Sequence, residues 1–300
     1  MNAIEIKNLT KRFGSKTAVG GLNMTVPVGA IYGFIGENGS GKSTTEKVLC
    51  GLLVPSDGQI KLFGRDYTDP DVRAKVGVLI EAPGCYPNYS VWNNLMLQAA
   101  NLSIENPEKE ISAALKMVRM EGAASNKYKN CSLGMKQRIG IAMALLGKPS
   151  LLILDEPING LDADGMRIMR EVLVEVTKSG NCTVVVSSHL LGELEKIATN
   201  YGIIRGGKML KEMTAEELEK GCRTYIALQT KDMSKTKALL ERKYSSVKEE
   251  NQYIRVYDAA SPDEIVIYLH ENGILVSEIK TDKISLEEYY IDLMNEKDGR

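Results

Sequence analysis

Gly36-Glu37-Asn38-Gly39-Ser40-Gly41-Lys42-Ser43-Thr44 stands directly behind the apolar run Ala30 to Ile35 and in front of a helical stretch, Thr44 to Leu53. The pattern is Gly-x4-Gly-Lys-Ser between a strand and a helix, the context in which such a loop holds a phosphate chain. Glycines let the backbone curl so that successive N–H groups and the helix N-terminus face an anion. Lys42 adds positive charge for the outer phosphates, and the Ser43 hydroxyl is a ligand for Mg²⁺. All nine residues, Gly36 to Thr44, are thus predicted to form a nucleotide site. A dinucleotide loop would read Gly-x-Gly-x-x-Gly, which is absent from this stretch.

Three more strand-length runs, Val76 to Ile80, Leu151 to Asp155 and Thr183 to Ser188, are near-continuously apolar. Parallel strands covered on both faces read this way, and helical stretches between them predict an α/β layered domain. Ile4 to Lys7, and Gln59 to Phe63 after the turn Asp57-Gly58, suggest an added antiparallel layer. Leu151-Leu152-Ile153-Leu154-Asp155-Glu156-Pro157 brings two acids to the C-terminal end of a strand. Ligands of open α/β sheets sit at that end. Asp155 is predicted to hold Mg²⁺ through water, and Glu156 to polarise an attacking water as general base.

At ~150 residues per domain the 300 residues suggest two domains. The 38 basic and 39 acidic residues nearly cancel, which excludes a strongly basic nucleic-acid surface. Aromatics at 6% argue against a base-stacking face. No apolar run approaches the ~20 residues needed to cross a bilayer, and Met1 to Lys7 lacks the plan of an export signal, so the chain is expected to stay in the cytoplasm. Five cysteines, Cys50, Cys85, Cys131, Cys182 and Cys222, form no Cys-x-x-Cys pair and read as reduced and structural.

Residues 1 to 207 hold 24 of the 27 glycines, while the remainder is more densely charged. This places a boundary near 207 to 222, with a nucleotide domain over 1–207 and an accessory domain over 208–300. The tail reads Tyr225 to Gln229 strand, Met233 to Lys243 helix, strands Ser246 to Glu249 and Gln252 to Val256, helix Pro262 to Glu271 and strand Ile274 to Lys280. That order, βαββαβ, is a small α+β, ferredoxin-like module. Ser261 with Glu264, and Ser285 with Glu288, read as capping boxes. With no clustered site residues, and His270 alone, the tail is expected to be a contact or an extension.

Residues 3 to 207 resemble the nucleotide-binding subunit of an ATP-binding-cassette (ABC) transporter. What sharpens the likeness is Cys131-Ser132-Leu133-Gly134-Met135-Lys136-Gln137-Arg138, similar to the family's Leu-Ser-Gly-Gly-Gln signature. Ser132 and Gly134 match; Cys131, Leu133 and Met135 depart. The resemblance implies a P-loop NTPase cassette with a mixed sheet and a helical subdomain over about 82–145. It implies ATP and Mg²⁺ as cofactors, and a homodimer in which Ser132, Leu133, Gly134 and Met135 cap the γ-phosphate of ATP bound to the opposite subunit. It further implies roles for three residues: Asp162, in Asn159-Gly160-Leu161-Asp162, at the dimer interface; His189 as the switch histidine at the γ-phosphate; and Phe13 stacked on adenine. Lys42, Glu156 and His189 are the catalytic set so implied.

After Val76 to Ile80 the family usually places Gln, which contacts Mg²⁺ and the membrane subunit; this chain has Glu81. Ser43, Asp155 and Glu81 are therefore the expected metal ligands. The run from Ile80 to Leu95, with Ser132 to Arg138 and the charged extension, resembles the bacitracin and lantibiotic branch of peptide export and self-protection. The implied function is ATP hydrolysis driving a separate membrane permease, without nucleic acid, from the inner face of the plasma membrane. The alternative is a soluble cassette ATPase acting on DNA or ribosomes. Such proteins usually carry two cassettes or a long coiled-coil insertion, and neither is present. A kinase or GTPase switch predicts neither the signature nor His189.

Overall fold

The computed structural model describes residues 1–180, 182–189, 191–221 and 224–296; Cys222 lies outside them. The chain divides into two compact units, Met1–Ala215 and Glu216–Arg300.

The first unit contains β1 (Asn2–Phe13), β2 (Lys16–Pro27), β3 (Ile31–Ile35), β4 (Asp57–Leu62), β5 (Arg65–Asp66), β6 (Val76–Leu79), β7 (Leu151–Asp155), β8 (Thr183–Ser188), β9 (Asn200–Arg205) and β10 (Lys208–Thr214). An antiparallel sheet runs β2-β1-β4-β5, and a mixed sheet runs β10-β9-β3-β8-β7-β6. In the second sheet every pairing is parallel except β9 with β10. Ile4, Leu9, Leu22 and Met24 of the antiparallel layer share one core with Phe34, Ile153 and Val185 of the mixed sheet. Burying each such side chain contributes ~1.5–3 kcal/mol, which fixes the strand ends that carry the site.

Between β6 and β7 lie the helices Val91–Asn101, Pro107–Met117 and Leu133–Leu145. The last packs on β6 where Gly77, lacking a β-carbon, leaves room for the Ala144 carbonyl. Arg138 bonds the carbonyl of Arg119 at 3.1 Å, tying this helix to the chain that follows Pro107–Met117. The phosphate-loop helix spans Lys42–Leu49, starting and ending earlier than the expected Thr44 to Leu53, since the chain turns at Gly51 with φ +69°. β10 hydrogen-bonds along β9, so the first unit continues past residue 207 to residue 215. The Gly206-Gly207 pair, with φ +54° and +79°, is the turn of that hairpin.

In the second unit β11 (Thr224–Thr230), β12 (Val247–Glu250), β13 (Tyr253–Val256) and β14 (Val276–Lys283) form an antiparallel sheet in the order β12-β13-β11-β14. With helices Met233–Leu240 and Pro262–Glu271 this is the split βαβ arrangement of a ferredoxin-like module. The Ser285–Glu288 capping box is reciprocal, both bonds being 3.1 Å, and opens a further helix, Leu286–Glu296. In the other box Ser261 Oγ accepts from Glu264 N, while the Glu264 carboxylate reaches Ala260 N, one residue before the cap.

No helix among the described residues is long and apolar enough to cross a membrane. Cys50, Cys85, Cys131 and Cys182 are free thiols. Burial pushes Cys50 and Cys182 up to about 12 and Cys85 up to about 11, so all three stay protonated.

Candidate functional site

β3 is buried over its whole length and ends in the phosphate loop, so the loop hangs from the middle of the mixed sheet. Gly41 caps the following helix at φ +109°, in the left-handed region that a glycine enters without strain. Lys42 is buried and its Nζ donates to the carbonyls of Gly36 at 2.7 Å and Glu37 at 3.1 Å, folding the ammonium back over its own loop. The Ser40 hydroxyl is buried without a hydrogen-bond partner, an orphan inside the cradle. A cleft of about 470 Å³ opens here, lined by Phe13, Lys16, Thr17, Ala18, Asn38, Gly39, Gly41, Lys42, Ser43, Thr44, Glu156 and Gly206. That volume lies within the range of ordinary ligand sites. A folded-back cation and a glycine-rich loop lining such a cleft fit a polyphosphate.

Neighbouring strand ends complete the site. Ser43 Oγ donates to Asp155 Oδ1 at 3.3 Å, and Ser187 Oγ donates to the same oxygen at 2.8 Å. A hydroxyl and a carboxylate converging on one point are hard oxygen donors of the kind Mg²⁺ takes, so the residues fit that metal. Glu156 has φ +46°, and its N–H is held by the Ser187 hydroxyl at 3.2 Å. Its Oε2 accepts from Asn159 Nδ2 at 3.0 Å and lies 3.2 Å from His189 Nδ1. β7 and β8 thus deliver Asp155, Glu156 and His189 beside the phosphate loop, as adjacent strands of one parallel sheet.

The remaining expected residues occupy other places. Phe13 is 48% exposed at the cleft edge, with the Lys11 ammonium over one face of its ring, 5.0 Å from the ring centre. Ser132 caps Leu133–Leu145, accepting from Met135 N at 3.3 Å, with Leu133 and Gly134 in the first turn. Asp162 Oδ1 accepts from Gly165 N at 2.9 Å and so heads the helix Ala163–Gly180. Glu81, at φ +64°, is exposed and bonded to Lys47 Nζ at 2.7 Å, which holds its carboxyl below the usual range. The structure ties it to Lys47 rather than to Ser43 or Asp155.

Three contributors were not visible in the sequence. Ser187 orients Asp155 and Glu156 together. Lys47 neutralises Glu81 from the exposed side of the phosphate-loop helix. Glu46, on the same helix, is wholly buried beside Asp155 and Ser187, and neither of its oxygens makes a well-formed hydrogen bond. Burial, reinforced by the charge of Asp155, raises its carboxyl well above the ordinary range. The available signal was an acid on a helix face that also carries Val48 and Leu49.

The comparisons bear on the same residues. The model of the ABC transporter family matches residues 19–159. A bacitracin transport ATP-binding protein of Bacillus licheniformis is 38% identical over 305 residues, covering 97% of each chain. A lantibiotic transport ATP-binding protein of Streptococcus pyogenes is 41% identical over 209 residues, 70% of this chain and 90% of that one. Among solved structures, cbiO1 of Clostridium perfringens, part of the ABC transporter complex cbiONQ, superposes with a TM-score of 0.67 at 26% identity, covering 73% of this chain and 91% of that one. Full-length similarity at this level, on a fold whose strand ends gather Lys42, Ser43, Asp155, Glu156 and His189, places the chain in the ABC transporter family, among the ATP-binding proteins that hydrolyse ATP to power transport.

Proposed function

We propose that this chain is the ATPase subunit of an exporter for a peptide antibiotic or similar amphiphile. It would work as a homodimer on a separate membrane permease at the cytoplasmic face of the plasma membrane. The observation that carries the ATPase half is one cleft lined by Lys42, Ser43 and Glu156, with Asp155 bonded to Ser43 and His189 beside Glu156. The cargo half rests on the similarity to bacitracin and lantibiotic transport proteins. No nucleic acid enters this reading.

Lys42 leaves its loop carbonyls for the outer phosphates, and the Ser40 hydroxyl and loop amides take the remaining oxygens. Ser43 and Asp155 would hold Mg²⁺, which when bound would supply charge neutralisation at the phosphates. Glu81 joins them only by releasing Lys47. Glu156 accepts the proton of the attacking water, with His189 and Asn159 fixing its carboxylate. Phe13 stacks on the base. Ser132 to Met135 lie on a helix outside this cleft and serve the nucleotide of a second copy, with Asp162 at the junction, so one cassette per chain needs a partner. A groove of about 700 Å³, lined by Leu79, Ala82, Pro83, Leu102 and Met143, lies between the sheet and the helical insertion and is the surface offered to the permease.

The test is to express the chain with a multi-span permease encoded beside it in a host sensitive to a peptide antibiotic. Resistance that needs both proteins, and is lost with Glu156→Gln, supports the reading. Resistance unchanged by either removes the cargo assignment.

A further inference from the structure

His189 stands at the end of β8, and the chain on its two sides is held by different means. Before it, Ser187 and Ser188 are registered against Phe34 and Ile35 of β3 by the strand ladder. After it comes the one-turn helix Leu191–Leu194, whose Leu194 is wholly buried; a β-carbon on Gly33 of β3 would sit 3.2 Å from Leu194 Cδ1. Such apolar burial is non-directional and leaves the orientation of a single turn open. The turn also contains Gly192, where a β-carbon would meet nothing within 4 Å. What orients it is Glu193. Arg170 Nη1, from the helix Ala163–Gly180, pairs with Glu193 Oε2, and Lys196 Nζ donates to Glu193 Oε1 at 2.7 Å. The Arg170 and Glu193 side chains are only 20% and 17% exposed, and neither lines the nucleotide cleft.

Taking two charges out of water costs about as much as their attraction returns, so an apolar pair of similar volume would serve the fold equally well. What the guanidinium adds is direction, because its planar donors fix the carboxylate they meet. We propose that Arg170 and Glu193 are positioning residues for hydrolysis. Their pair sets the Leu191–Leu194 turn on the Ala163–Gly180 helix and so holds the His189 imidazole against Glu156 Oε2, 3.2 Å away. The inference rests on the reading that Glu156 takes the proton of the attacking water with His189 beside it. The pair touches neither the phosphate loop nor Phe13, so it acts on turnover and leaves nucleotide binding alone.

The chain holds two histidines, His189 in the first unit and His270 in the second, so imidazole NMR signals read His189 directly with His270 as internal control. The full chain is compared with Glu193→Gln, with Arg170→Lys, and with Arg170→Leu and Glu193→Leu combined. Steady-state ATPase, binding of a fluorescent ATP analogue, urea unfolding and the NMR signals are measured on each. A misplacement of about 1 Å can cost on the order of 10²-fold in rate, so Glu193→Gln and the paired leucines should lower kcat roughly tenfold or more. KM and analogue affinity should stay within about twofold, and the His189 signal should move while His270 stays. The paired leucines should unfold at about the wild-type urea concentration, which separates lost turnover from lost fold. Arg170→Lys keeps the charge and should keep most of the turnover. Wild-type kcat with an unmoved His189 signal in the paired leucines overturns the proposal, as does a kcat that falls only with the fraction folded. If Glu156→Gln retains near-normal turnover, the parent reading fails and the proposal with it. If Glu156→Gln is inactive while the His189 signal stays fixed in the paired leucines, the positioning role alone fails.

Discussion

Two groups of buried polar side chains, one in each unit, are held in opposite ways. In the first, Ser40 and Glu46 are buried without well-formed hydrogen bonds, and Lys42 is folded onto carbonyls of its own loop. In the second, Arg255 is also buried but paired with two carboxylates. It pairs with Glu250 at 2.9 Å and Glu288 at 3.0 Å and lies 4.4 Å from the centre of the Tyr225 ring. Folding alone favours the second arrangement, because an unsatisfied buried group costs ~1–3 kcal/mol. The first arrangement carries a cost to folding, and the second offsets the burial of its charge within the unit.

The sharpest way to break this contrast is at Glu156. Glu156→Gln should lower ATP turnover by about 10²–10⁴ while leaving nucleotide binding intact, since the amide cannot take the proton of the attacking water. Steady-state hydrolysis beside analogue binding measures both; near-normal turnover removes Glu156 from its role. Lys42→Ala follows, weakening ATP affinity by about ten- to hundredfold through loss of one charge-assisted bond. Unchanged affinity by equilibrium titration would show that Lys42 belongs to the loop and not to the ligand.

Arg255→Ala turns the comparison round. Cutting its bonds to Glu250 and Glu288 should cost the second unit about 1.5–3 kcal/mol in urea unfolding, with hydrolysis by the folded protein unchanged. If turnover falls with stability held, the second unit is more than architecture.

How much of this was legible depended on where the physics is local. β3, β7 and β8 were readable because strands covered on both faces are unbroken apolar runs, and Lys42, Ser43, Asp155, Glu156 and His189 stand at their ends. β2 was not read: its buried Leu22, Met24 and Val26 alternate with exposed Asn23 and Thr25, but Val19 falls out of step where pairing with β1 is irregular around Gly20 and Gly21. The glycine pair at 206 and 207 read as a domain edge because composition changes there, yet the backbone pairing of β9 with β10 runs on through it. Ser187 and Lys47 act through neighbours more than 30 residues away in sequence, so no window around them could reveal a role, and Glu46 left only the local sign of an acid beside apolar helix residues.

Glu46 gives the finest test of the idea that the first unit carries groups its fold does not need. In the chain free of nucleotide and Mg²⁺, Glu46→Leu should raise stability by about 1–3 kcal/mol at neutral pH, by replacing two buried oxygens without well-formed hydrogen bonds with a methyl fork. The pH dependence has a definite sign. The folded carboxyl titrates well above its unfolded value of 4.5, so the wild type keeps its full stability below that pH and loses it as pH climbs towards the folded value. The leucine variant has no such loss, and its advantage in urea midpoint should widen between pH 4.5 and 7. An advantage that stays flat or shrinks over that window would mean Glu46 is ionised and paired in the folded chain. Its burial would then be ordinary architecture, of the kind Arg255 represents in the second unit.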